Sequence, residues 1–142
     1  MKVYFNRKPV TGPWGGGNKT LATLVKKLRE SGVLISFDLN DKDIDVIFCM
    51  DPRPNSEGIW YNHLLEYKQK NNIKIIQRVG DVGTHSKPEL TELLRQVVNF
   101  SDTLIFPSEW ARQYIDYNKE NYHVIYNAAM KNFYKNRNLT RN

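Results

Sequence analysis

The residues best suited to chemistry in this chain fall in two loops. The first is Pro9-Val10-Thr11-Gly12-Pro13-Trp14-Gly15-Gly16-Gly17-Asn18, where three successive glycines lead into a helical pattern. Glycines let backbone N–H groups approach a ligand closely, and a helix N-terminus adds partial positive charge. Gly15, Gly16, Gly17 and Asn18 therefore suit a phosphate. The spacing is neither Gly-x-Gly-x-x-Gly nor a Walker loop, because no Gly-Lys-Ser/Thr follows. The second loop is Arg78-Val79-Gly80-Asp81-Val82-Gly83-Thr84-His85. Arg78 suits a phosphate or a carboxylate, Asp81 suits sugar hydroxyls, and His85 suits a charged group near neutral pH. A plainer reading stands beside this one, in which Asp81 only stabilises a glycine turn and His85 is a solvated loop residue.

Other features carry less. Asp51-Pro52-Arg53 reads as a turn with a surface ion pair. Ser108 and Glu109, at the start of a helical pattern, either hydrogen-bond a substrate or simply cap the helix. His63 falls inside a helix with no partnering Cys, Glu or second His, and reads as structural. Trp60 and Trp110 flank helical apolar positions and read as core. No set of His, Cys and carboxylates has metal-ligand spacing, so no metal is expected.

The elements that must position these loops alternate along the chain. Val3-Tyr4-Phe5 is a short strand pattern, and Leu21, Leu24, Val25 and Leu28 form the stripe of an amphipathic helix. Asn18 is its expected N-cap and Ser31-Gly32 its end. Val33-Leu34-Ile35-Ser36-Phe37 and Asp45-Val46-Ile47-Phe48-Cys49 read as the second and third strands. Ser56 is expected to cap a helix running to about Lys70. Ile73-Lys74-Ile75-Ile76-Gln77 is the fourth strand, and Ser86-Lys87-Pro88-Glu89 has capping-box spacing ahead of a stripe of Leu90, Leu93, Leu94, Val97 and Val98. Thr103-Leu104-Ile105-Phe106 is the fifth strand. Pro107-Ser108-Glu109 opens a helix with Ala111, Tyr114 and Ile115, and His123-Val124-Ile125-Tyr126 is the sixth strand. Strands apolar from end to end are buried on both faces, as in parallel sheets. The pattern predicts an α/β fold: a doubly wound, mostly parallel, Rossmann-like sheet with helices on both faces. Ligands in such folds sit beyond the C-terminal ends of the strands, where both loops belong.

Composition narrows the classes. The 142 residues are 40% hydrophobic and 25% charged, as in a globular domain, and no apolar run approaches the length of a membrane span. The single Cys49 excludes an intrachain disulfide, which with the absence of a signal-peptide pattern predicts a cytoplasmic setting. Of the formal net charge of +6, Lys131, Lys135, Arg137 and Arg141 contribute four. Residues 1–130 are thus nearly neutral, and no nucleic-acid partner is expected. Nor does the sequence support a peripheral membrane contact. The expected organisation is one Rossmann-like domain over residues 1–130, with 131–142 a basic tail or the start of an interdomain linker.

With these residues in view, the chain resembles the N-terminal domain of GT-B glycosyltransferases, in the family-4-like group of retaining enzymes. The resemblance spans nearly all of residues 1–133. It rests on Gly15-Gly16-Gly17-Asn18, on residues 78–85, and on Ser101-Asp102-Thr103-Leu104-Ile105-Phe106-Pro107-Ser108-Glu109-Trp110. Val124-Ile125-Tyr126-Asn127 followed by Phe133 looks like the family's exit from that domain, with Ala128-Ala129-Met130 in place of Gly-Val-Asp. The resemblance implies one half of a GT-B architecture, binding mainly the acceptor. A C-terminal GT-B domain, in the same or another chain, would hold most of a nucleotide-sugar. Gly16 and Gly17 would face donor phosphates or acceptor, Asp81 and His85 would be the catalytic-side residues lining the acceptor, and no cofactor beyond the donor is implied. A different class also fits the residues: a non-catalytic module binding a phosphorylated or glycosylated ligand through the glycine loop.

Overall fold

The computed structural model describes residues 1–128, so the expected tail over 131–142, and Met130 and Phe133 of the family-like exit, lie outside the described residues. Six strands, β1 (Lys2–Phe5), β2 (Leu34–Ser36), β3 (Val46–Cys49), β4 (Lys74–Arg78), β5 (Thr103–Phe106) and β6 (Tyr122–Val124), form one sheet. Their order is β2-β1-β3-β4-β5-β6, and every neighbouring pair is parallel. The helices are α1 (Gly16–Glu30), α2 (Tyr61–Asn71), α3 (Pro88–Val97) and α4 (Glu109–Tyr114).

Alternation along the strands sorts the core into two layers. Val3, Phe5 and Phe48 point to one face and pack on Leu21 and Val25 of α1. Tyr4, Ile47 and Ile75 point to the other, against Tyr61 and Leu64 of α2. Leu104 and Phe106 continue that second layer against Leu90 and Leu94 of α3 and Ala111 of α4. The fold is α/β with an all-parallel sheet and helices on both faces, consistent with a Rossmann-like fold. The connection from β2 to β3, residues 37–45, contains no helix, so α1 is the one helix on its face among the described residues. Ile76 and Ile105 on that face are half-buried, whereas Ile75 and Leu104 on the other are 0% exposed. Strand order reverses between β1 and β3, which places the ligand crevice of such folds between the loops that follow those two strands.

Several helix starts differ from expectation, each for a local reason. The N-cap of α1 is Gly15, not Asn18. Asn18 sits in the first turn and ties down the preceding loop, accepting from Val10 N–H and donating to Val10 C=O, both at 2.8 Å. Helix α2 starts at Tyr61 rather than near Ser56, because Asn55 closes a separate turn by accepting from Glu57 and Ile59 N–H. At the true start His63 Nδ1 accepts from Trp60 N–H at 3.2 Å, a structural task. The expected capping box at Ser86 is absent: Ser86 has φ 58°, Lys87 is the N-cap, and Pro88 opens α3 where no N–H is needed. Ser108 does cap α4, its Oγ accepting from Ala111 N–H at 3.1 Å.

Trp60 and Trp110 are not core residues. They are 37% and 57% exposed, because Trp60 precedes α2 and Trp110 stands on the outer side of α4, stacked on Tyr114 with centroids 5.1 Å apart. The inward positions belong to Tyr61 and Ala111.

Charge sets a pH range for this fold. Lys27 holds the Glu30 carboxyl below its ordinary range, Lys2 does the same for Asp41, and Lys87 for Asp81. Burial pushes Asp102 up, but hydrogen bonds from Lys68 and Ile75 N–H overcome it and leave the group low. Carboxyls depressed in the folded state stabilise it above their unfolded values near pH 4, and that stabilisation is lost as pH falls through the folded values. Burial acts oppositely on Cys49, pushed up to about 12, so its contribution is lost as pH rises from about 9 towards 12. Unfolding free energy measured against pH should therefore plateau between about pH 5 and 9 and fall on both sides. Asp102→Asn should make the acid limb shallower; an unchanged limb would mean the Lys68 contact contributes nothing.

Candidate functional site

The loops with chemical potential meet the C-terminal edge of the sheet. The glycine loop leaves β1 and the Arg78 loop leaves β4. These strands are two spacings apart, about 10 Å, with β3 between them. The structure therefore brings both loops to one edge without joining them in a single pocket. Ser108 and Glu109 stand at the same edge after β5.

Gly15, Gly16 and Gly17 are exposed, and a Cβ on any of them would meet nothing within 4 Å. Neither packing nor backbone conformation requires glycine there, since within this loop only Gly12 has a positive φ, +112°.

The β4 loop is built more tightly. Asp81 Oδ1 accepts from Gly83 N–H and its Oδ2 from Lys87 Nζ, each at 2.8 Å, so both oxygens clasp the loop to the start of α3. The carboxylate remains ionised at neutral pH and acts as an acceptor. His85 is exposed at the tip and makes no side-chain hydrogen bond among the described residues. Ser108 is occupied as a helix cap, and Glu109 is held by Arg112 and accepts from Tyr122 OH at 3.4 Å. The outer flank of the loop borders an open groove of about 500 Å³ that includes Lys87, Arg95 and Tyr114.

Arg78 differs from these. It is half-buried, and burial lowers its pKa, whereas hydrogen bonds donated to carboxylates raise those of Arg53 and Arg112. Its Nη2 donates to Asn127 Oδ1 at 3.3 Å, and among the described residues no carboxylate pairs with it. The guanidinium lies against Gly80, where any side chain would collide with Nη1. A cavity of about 20 Å³, room for one water, lies between Arg78 and Asp81 on one side and Asp51 and Pro52, at the start of the Asp51-Pro52-Arg53 turn, on the other.

That turn carries the residues sequence reasoning missed or undervalued. Arg53 grips Asp51 through Nε at 3.1 Å and Nη2 at 2.7 Å, bearing out the expected ion pair. Arg7, just past β1, also reaches Asp51 at 3.6 Å and donates to Arg53 C=O at 2.7 Å. Beneath them Asn6, 1% exposed, joins the ends of β1 and β3: Oδ1 accepts from Met50 N–H at 2.7 Å and Nδ2 donates to Asp51 C=O at 2.5 Å. A polar Asn-Arg pair directly after an apolar strand was the available signal. Among the described residues no three of His, Cys, Asp and Glu converge as a metal site, and no helix is long and apolar enough to cross a membrane. No family model, curated protein or solved structure matches the chain.

Proposed function

We propose that residues 1–128 are the acceptor-side wall of a retaining glycosyltransferase, which moves a hexose from a nucleotide-sugar to a hydroxyl of a glycan or similar acceptor. A C-terminal GT-B domain, in the same chain or another, supplies the second wall and most donor contacts. The observation that carries the reading is the gathering of the Arg78–His85 loop, the glycine loop and the Arg7–Asp51–Arg53 cluster on one open edge around the point where strand order reverses. Sugar transfer depends on positioning two substrates and stabilising charge as the leaving diphosphate departs. One open edge gives part of the contacts that a closed cleft gives. In this reading Asp81 and His85 line the acceptor, with Asp81 acting as hydrogen-bond acceptor while it fixes the loop. Gly16 and Gly17 leave room for backbone contact with phosphates.

A panel of nucleotide-sugars with product detection tests this. Residues 1–142 alone should give no transfer, while the chain joined to a C-terminal domain of the family-4-like group should give product. Amide shifts on adding acceptor glycan should fall at Gly15, Gly16, Gly17 and residues 78–85. Robust transfer by the isolated chain would overturn the two-domain reading. Binding at this edge with no transfer from any completed enzyme would favour a non-catalytic binding module.

A further inference from the structure

We infer that the C-terminal end of β4 is an oxyanion site, in which the Arg78 guanidinium, laid against Gly80, receives a phosphate or carboxylate carried by the ligand. This gives the substrate class for the edge described above, and it rests on that reading only for the ligand being a sugar derivative.

Three observations carry it. The first is Arg78's lack of an anionic partner. Arg7 and Arg53 share Asp51, Arg95 reaches Asp116, Arg112 holds Glu109, and Arg29, which also lacks a carboxylate, is exposed to water on α1. Arg78, half-buried, has the amide oxygen of Asn127 as its one side-chain partner among the described residues. Residues 129–142 contain no Asp or Glu to add one. A guanidinium has five N–H donors in a rigid fork, matched to two oxygens of a phosphate or carboxylate. A half-buried one without an anion has given up hydration that such a ligand restores, whereas a neutral hydroxyl compensates only in part.

The second is Gly80. A Cβ there would occupy the place of the guanidinium, so the missing side chain is what lets Arg78 lie along its own loop. The absent side chain leaves this pose open to the guanidinium, and the Asn127 contact is the hydrogen bond that favours it.

The third is the surrounding charge. Arg7 and Arg53 pair with Asp51, Lys87 pairs with Asp81, Glu89 adds its charge near Arg53, and Arg78 lines the same small cavity as the two aspartates without pairing to either. Cations outnumber carboxylates even with Glu89 included, so the field at the edge favours an anion.

Binding to the full 142-residue chain by calorimetry and amide shifts is the test. The probes are inorganic phosphate, a hexose phosphate, a hexuronate, a nucleoside diphosphate and the neutral hexose. Anionic probes should shift the Arg78 and Gly80 amides, and the neutral hexose should bind more weakly than its phosphate. Arg78→Gln should weaken anion binding at least about tenfold, the scale of a lost charged hydrogen-bond pair. Gly80→Ala keeps the charge but displaces the guanidinium, and should weaken binding several-fold with the unfolding midpoint held. Lys26→Gln, distant on α1, should change nothing. Tighter binding of the hexose phosphate or hexuronate assigns the anion to the acceptor, and tighter binding of the nucleoside diphosphate assigns it to the donor. Anion affinity unchanged in Arg78→Gln would overturn the site. Neutral glycan binding at this edge without anion preference would also overturn it while leaving the transferase reading intact. Anion binding at Arg78 with no transfer from any completed enzyme would do the reverse.

Discussion

Replacing Gly83 with alanine is expected to destabilise the fold by about 3 kcal/mol or more, the largest effect expected of alanine at any of the chain's glycines. Two costs combine. Gly83 has φ +82°, a conformation that L residues adopt only under strain. Its Cβ would also stand 2.5 Å from Lys87 C=O, 2.5 Å from Thr91 Oγ1 and 2.9 Å from Thr91 N. None of these can withdraw cheaply. Lys87 C=O accepts the first hydrogen bond of α3 from Leu90 N–H, and buried Thr91 Oγ1 donates to Val82 C=O at 2.6 Å. Gly80 is the internal comparison, since its obstructing neighbour is the end of a flexible arginine. Against a total stability of about 5–15 kcal/mol for a domain of this kind, the loss should lower the midpoint by about 10 °C. Urea unfolding and calorimetry on Gly83→Ala and Gly80→Ala would decide it. If the two variants agree within about 0.5 kcal/mol, the packing at Gly83 is not the constraint described.

Asn6→Ala should cost about 2–4 kcal/mol, chiefly by stranding the groups that Asn6 now satisfies. Met50 N–H and Asp51 C=O, both partly buried, would lose their side-chain partner where Asn6 itself is 1% exposed. Asn6→Asp separates hydrogen bonding from size. It keeps an acceptor for Met50 N–H but turns a carboxylate oxygen towards Asp51 C=O, so it should be at least as damaging as alanine at neutral pH. Because Asp51 anchors both Arg7 and Arg53, either change should also shift the amides of residues 50–53 and weaken ligand binding at the edge. Full stability in Asn6→Ala would show that β1 and β3 are held together by their ladder alone.

The element pattern was legible because it depends on neighbours in the chain. Runs such as Ile75-Ile76 and Leu104-Ile105-Phe106 are apolar on both faces, and stripes such as Leu90, Leu94 and Val97 repeat with the helical period. Helix starts were less legible, since several polar residues within a few positions compete for the same orphan N–H groups. Asn55 took the turn that Ser56 was expected to cap, and Asn18 bonded back to Val10 rather than to its own helix. Tryptophan exposure was misjudged because one position along a helix moves a side chain from the buried face to solvent.

Of the candidate site, the sequence alone determined which residues follow which strands: Gly15 to Asn18 after the first, and Asp81 and His85 after the fourth, whereas Arg78, read as a loop residue, is the last residue of β4 itself. Parallel topology then sends all of them to one edge, whatever the strand order. Only the tertiary structure decided what each side chain does there. Asp81 is taken by Lys87 and Gly83, and Asp51 is shared by Arg7 from 44 positions away and by Arg53. Arg78 is left half-buried with an amide as its side-chain partner. The physical reason is that secondary structure follows from local periodicity, whereas the pairing of a charged group depends on which other charges the strand order brings within a few ångströms, and strand order is fixed by packing across the whole sheet.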